Sequence, residues 1–117
     1  MEESKRQKQV GRLIQEEMSS IFLKEGLNMT QGGMISISKV IITPDLLEAR
    51  IYLSLFKVDK PETYMETVTE KIGELRRILG NNLRHQLRRI PSLQFYLDDT
   101  MDHVFKMEEL FKQIKNQ

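Results

Sequence analysis

The chain has 117 residues, 30% of them charged and 39% hydrophobic, with a formal net charge of +1 and no cysteine. Its apolar content is too high for wholesale disorder, and the lack of cysteine excludes a disulfide framework, a thiolate metal site and a cysteine nucleophile. No apolar run approaches a signal-peptide core or a membrane span, so the expectation is one cytoplasmic domain over residues 1–117 with no membrane partner.

Ser4 followed by Gln7 fits a capping box, and Val10, Leu13, Ile14, Met18, Ile21 and Phe22 recur at helical spacing, predicting a helix from Lys5 to Lys24. Gly26 suits its C-terminal cap, and residues 28–33 read as a loop. Lys5, Arg6, Lys8 and Arg12 crowd the first turns, where the helix dipole favours acids. Such placement fits either an external anionic partner or a frayed, merely soluble terminus.

Ile35 to Ile42 and Glu48 to Phe56 are rich in β-branched residues and flank Thr43-Pro44-Asp45-Leu46, a turn sequence, so a hairpin is expected. In its second strand Ala49, Ile51, Leu53 and Leu55 share one face, which the helices must cover. Tyr52 and Phe56 fall on the other, where aromatic rings serve either packing or base stacking.

Pro61 suits a first helical position, and Tyr64, Val68, Ile72 and Leu75 continue at helical spacing into a second apolar stripe of Ile78, Leu79, Leu83, Leu87 and Ile90. A single helix of that extent would be over about 40 Å long, roughly twice the reach of a strand, so a break is expected. Gly73 is the breaker near the middle. The first half carries Glu62, Glu66 and Glu70, whereas residues 71–91 hold six Lys or Arg against one acid, Glu74. Arg77, Asn81, Arg84 and Arg88 are predicted on one helical stripe opposite the apolar one, with the helix stopping near Arg89 or Ile90 because of Pro91. A single-sign stripe attracts a polyanion; the alternative is a solvated face paired with nearby glutamates.

Leu93, Phe95 and Leu97 alternate with Gln94, Tyr96 and Asp98, predicting a third strand. Asp98, Asp99 and Thr100 would cap a last helix over about residues 100–115, with Val104, Met107, Leu110, Phe111 and Ile114 as its apolar stripe. Asp98 and Asp99 diverge as neighbours on a strand and have no third ligand nearby, and His85 and His103 have no metal-site spacing. No phosphate loop, nucleophile elbow or triad can be assembled, so neither an enzyme nor a cofactor is expected.

Three blocks, SKRQKQVGRLIQEEMSSIF, ISKVIITPDLLEARIYLSLF and LRRILGNNLRHQLRRIPSLQFYLDDT, resemble the ribosome-binding factor A family in order and over most of the chain. The resemblance implies a monomeric α+β, KH-like (type II, αββααβ) domain with a three-stranded sheet, in which an Ala-x-Gly kink replaces the GXXG loop. The matching positions are Lys71, Ile72 and Gly73, with lysine where the family usually has alanine, and the kink implies that a Cβ at Gly73 would strain the backbone or a close helix contact. It further implies a non-catalytic factor that binds the immature small (30S) subunit and 16S rRNA, acts in late maturation and in processing of the precursor's 5′ end, and whose absence often brings cold sensitivity. Arg77, Arg84 and Arg88 would then contact phosphates, with Arg76, Arg89, Lys5, Arg6, Lys8, Arg12 and Lys71 extending the surface. The competing reading is a protein-interaction module whose basic helix docks an acidic partner, a ribosomal protein or an assembly GTPase.

Overall fold

The computed structural model describes residues 3–30 and 32–98. Ser4 accepts from the Gln7 amide while the Gln7 side chain accepts from the Ser4 amide, and the capping box so formed opens helix α1 (Lys5–Lys24). The helix closes with the Leu27 amide donating to Phe22 and the Gly26 amide to Leu23. This double closure needs a left-handed residue, and Gly26 supplies it with φ +72°.

The chain then forms β1 (Met29–Thr30), β2 (Gly33–Ile42), β3 (Glu48–Phe56), α2 (Pro61–Glu70), α3 (Ile72–Leu83) and β4 (Ser92–Leu97). The sheet has four strands in the order β1-β2-β3-β4, not the three expected. The additional strand is two residues long, pairing Met29 with Met34 and Thr30 with Gly33, and so short a segment has no alternation to read. Strands β2 and β3 are antiparallel, with an irregularity between Ile37 and Lys39 that keeps Ile35, Ile37, Val40 and Ile42 all on the buried side. Strand β4 joins β3 in parallel, which requires the crossover that α2 and α3 provide.

The core lies between the helices and one sheet face. Ala49, Ile51, Leu53 and Leu55 are all buried there, as their alternation predicts, against Ile14, Met18, Val68, Leu75, Leu79 and Leu83. Beyond β1, the outer side of β2 is covered by α1. Gln7 Nε2 donates to the Ile42 carbonyl at 2.7 Å and Gln15 Nε2 to the Ile37 carbonyl at 3.1 Å. Between them on the same helical stripe, Gly11 lets the backbones meet: a Cβ built there would stand 3.0 Å from the Val40 oxygen. Helix α2 is tied to the loop after α1 by the Tyr64 hydroxyl, which donates to the Leu27 carbonyl at 2.6 Å. Burial pushes that phenol's pKa far up.

The break between α2 and α3 falls at Lys71, whose φ of −94° and ψ of 3° interrupt the helix for a single residue. Gly73 is not the strained position expected. It lies within the first turn of α3, its φ is not positive, and a Cβ added to it would meet nothing within 4 Å. A second correction concerns the end of α3, which stops at Leu83 with Arg84 as its cap and not near Arg89. The Leu83 carbonyl takes both the Gln86 and Leu87 amides, Leu87 turns into the core, and the chain reverses toward β4. Arg76 holds the reversed segment by donating from Nε to the Pro91 carbonyl at 3.2 Å and from a terminal nitrogen to the Ile90 carbonyl at 2.8 Å. Apolar spacing does not distinguish Leu87 on a helix from Leu87 on a turn that packs against the same core. The Thr100 cap and the last helix lie outside the described residues. Among those described, no helix is long and apolar enough to cross a membrane.

Candidate nucleic-acid interface

With α3 ended at Leu83, Arg77, Asn81, Arg84 and Arg88 no longer form one stripe. Arg77 and Asn81, one turn apart, border a hollow of about 430 Å³ together with Arg76, Gly73, Gly80 and Ile90. Arg84 and Arg88 fall instead on a groove of about 530 Å³ at the other side of the reversed segment. Arg89 lines it too, and Arg6 reaches it from the first turn of α1. Basic residues singled out in the sequence thus converge from two distant segments of the chain.

The groove has an apolar floor of Val10, Leu46, Leu87 and Pro91, and Asp45 and Leu47 of the hairpin turn close its rim. Leu46 adopts a left-handed φ of 62°, and the Ser92 amide donates to the Leu47 carbonyl at 2.9 Å, so the turn is fixed to the start of β4. Asp45 Oδ1 accepts from the Thr43 hydroxyl at 2.6 Å and the Leu47 amide at 3.0 Å. These bonds, the Thr43 hydroxyl first, hold its carboxyl below the usual carboxylate range. The only salt bridges among the described residues are Arg12 with Glu16 and Arg50 with Glu48, so none of the four arginines of the groove is neutralised in this way. Arg84 Nε donates to His85 Nε2 at 3.4 Å, which brings the imidazole to the same rim. Cations over an apolar floor with one fixed carboxylate can hold phosphate oxygens while leaving an acceptor for an amino or hydroxyl group.

The remaining sequence-predicted residues are more scattered. Lys5, Lys8 and Arg12 are exposed on α1 outside both hollows, with Arg12 engaged by Glu16 at 3.3 Å. Lys71 is half-buried at the helix break, and Arg76 is committed to the carbonyls of Ile90 and Pro91. No group of three or more His, Asp or Glu among the described residues could hold a metal ion.

The sheet face away from the helices carries a feature that single-sequence reading reached only at Tyr52. The register sets Lys39, Tyr52 and Tyr96 side by side on three neighbouring strands. The two rings stack with centroids 5.4 Å apart and planes 26° from parallel, and Lys39 Nζ lies 4.7 Å above the Tyr52 ring. Only strand pairing brings Tyr96 to Tyr52, because the whole crossover of α2 and α3 separates their positions in the chain.

The family model for ribosome-binding factor A matches residues 6–111. This chain belongs to the ribosome-binding factor A family. A ribosome-binding factor A from Cytophaga hutchinsonii is 39% identical over 96% of this chain and 84% of its own length. The fold is similar to the crystal structure of ribosome-binding factor A from Thermus thermophilus, with a TM-score of 0.63 at 15% identity over 78% of this chain and 94% of that one. It is similar as well to a homology model of the Thermus thermophilus factor fitted into the cryo-EM map of its complex with the 30S subunit. There the TM-score is 0.57 at 18% identity, covering 83% of this chain and 96% of that one. Members of the ribosome-binding factor A family are thus similar to this chain across the segments that build both hollows.

Proposed function

We propose that this chain is a non-catalytic ribosome assembly factor that binds the immature 30S subunit through 16S rRNA and acts in its late maturation, including processing of the precursor's 5′ end. The observation that carries the rRNA contact is the convergence of Arg6, Arg84, Arg88 and Arg89 on one groove. Arginines without a salt bridge among the described residues displace counterions from the phosphates they bind, and their planar forks suit phosphate oxygens. Arg77, Lys5, Lys8, Arg12 and Lys71 extend the positive surface around it. The order helix-strand-strand-helix-helix-strand, with β1 as an addition, supports a KH-like reading in which the break at Lys71 stands where a GXXG loop would be. Family membership and the 30S complex of the Thermus thermophilus factor support the choice of target.

The test is co-sedimentation of the Arg84→Glu/Arg88→Glu/Arg89→Glu variant with 30S subunits across a salt series. These side chains are exposed, so the variant should keep the wild-type melting temperature while losing most of its binding. The slope of log affinity against log salt should become shallower by roughly 0.7–0.9 for each phosphate that is no longer neutralised. A folded variant that sediments like wild type refutes the groove. Binding that requires ribosomal proteins and is absent from protein-free 16S rRNA favours docking to an acidic protein partner.

A further inference from the structure

The sheet face away from the described helices continues from the rim of the basic groove. Ser92, whose amide is bonded to Leu47 of the rim, begins β4, and the rows that follow pair Arg50 with Gln94 and then Tyr52 with Tyr96. At about 3.3 Å per residue the tyrosine pair lies roughly 13 Å along β4 from that rim. It spans β3 and the outermost strand β4, with Tyr96 39% exposed and Lys39 closing the far side of Tyr52. A second cation over an aromatic ring, Lys57 Nζ 5.4 Å from the Phe56 centroid, lies farther along β3 on the same face.

We infer that this face is a stacking platform for unpaired RNA, and that a strand held at the arginine groove runs across Arg50 onto the Tyr52–Tyr96 pair, where a base stacks. The inference rests on the rRNA reading for its ligand, but it assigns a different surface and a different form of RNA. Duplex RNA presents its phosphates to the groove and keeps its bases inside the helix, whereas a single strand exposes base faces that fit exposed rings interleaved with cations. Gln94 accepts from the Tyr96 hydroxyl, a bond at the edge of the ring. The continuity with the groove and the placing of Lys39 and Lys57 over rings, with Arg50, shared with Glu48, ahead of those rings on β3, match a polyanion carrying flat apolar groups better than they match an apolar peptide.

The chain has no tryptophan and three tyrosines, so its intrinsic emission reports this face directly, with the buried Tyr64 as an internal background. Titration of the full-length protein with single-stranded hexa-adenylate, corrected for nucleotide absorbance, should quench tyrosine emission. A duplex RNA of equal length should quench it far less. Tyr96→Ala should weaken hexa-adenylate binding by about fivefold or more and remove most of the quench without lowering the melting temperature, while Tyr96→Phe restores the affinity. Hexa-adenylate that fails to bind, binds without quenching, or binds Tyr96→Ala as tightly as wild type overturns the inference and leaves the face to a protein partner or to the chain itself. In the Arg84/Arg88/Arg89 variant, hexa-adenylate should bind more weakly but quench by the same amplitude at saturation. That result upholds the platform even if 30S binding proves indifferent to the groove.

Discussion

Two glycines on helices make a matched test of how α1 meets the sheet. In a helix interior alanine is favoured over glycine by about 1 kcal/mol, partly because it restricts the unfolded chain. At Gly73 nothing stands within 4 Å of the new methyl group, so Gly73→Ala should stabilise the protein by about 0.5–1 kcal/mol. At Gly11 the same methyl group would lie 3.0 Å from the Val40 oxygen, inside the 3.4–4 Å of ordinary contact. That oxygen cannot easily retreat, because Gln7 and Gln15 fasten the carbonyls of Ile42 and Ile37 on either side of it. Overpacking of this kind costs about 1–3 kcal/mol, which cancels the helix preference and leaves Gly11→Ala neutral or destabilised by up to about 2 kcal/mol. The two variants should therefore differ by about 1–3 kcal/mol in urea unfolding at a common m-value, or by at least about 4 °C in melting temperature. Equal stabilisation by both would refute the close seating of α1 on β2. A destabilised Gly73→Ala would restore the strained kink that the resemblance implied.

Arg76→Ala should cost about 1–2 kcal/mol through loss of the bonds to Ile90 and Pro91, and Arg76→Lys should not recover it because a single ammonium cannot span both carbonyls; thermal melts of the three proteins check both expectations. Asp45, whose folded pKa lies below the ordinary 3.8, stabilises the hairpin turn above that pH and ceases to do so as the pH falls through its lowered value. Acid unfolding of Asp45→Ala should accordingly show a flatter decline with falling pH than the wild type, and a parallel decline would contradict the role of the Thr43 and Leu47 bonds.

Elements with a strong local signal were legible from sequence. The capping box and apolar spacing give α1 its ends, and the alternation through Ala49 to Leu55 gives β3 both its span and its buried face. The break followed from length, and the resemblance placed it at residues 71–73, where Lys71 carries it, but the residue held responsible was the wrong one. A single residue near φ −94° can interrupt a helix without glycine, and Gly73, the only local cue, proved to be an ordinary helical residue. The end of α3 was missed for a different reason: Leu87 and Ile90 keep helical spacing while sitting on a turn, because a reversing chain also points apolar residues at the core. The candidate site was legible as composition and not as geometry. The excess of arginine after Glu74 was visible, but only the tertiary fold brings Arg6 to Arg84, Arg88 and Arg89, and only the parallel register brings Tyr96 to Tyr52.

The covering of β2 by α1 bears on the order in which the chain can assemble during synthesis. An exposed strand edge invites pairing with other chains, and the side of β2 away from β3 is such an edge until something lies on it. Its covers, α1 and β1, both precede β2 in the chain, and with β3 they are all complete by residue 56. The helix and hairpin can therefore meet without the rest of the chain, with Gln7 and Gln15 engaging the edge while α2, α3 and β4 have yet to be translated. The parallel strand, which must wait for a long crossover, then adds on the opposite side and finds the earlier edge already closed.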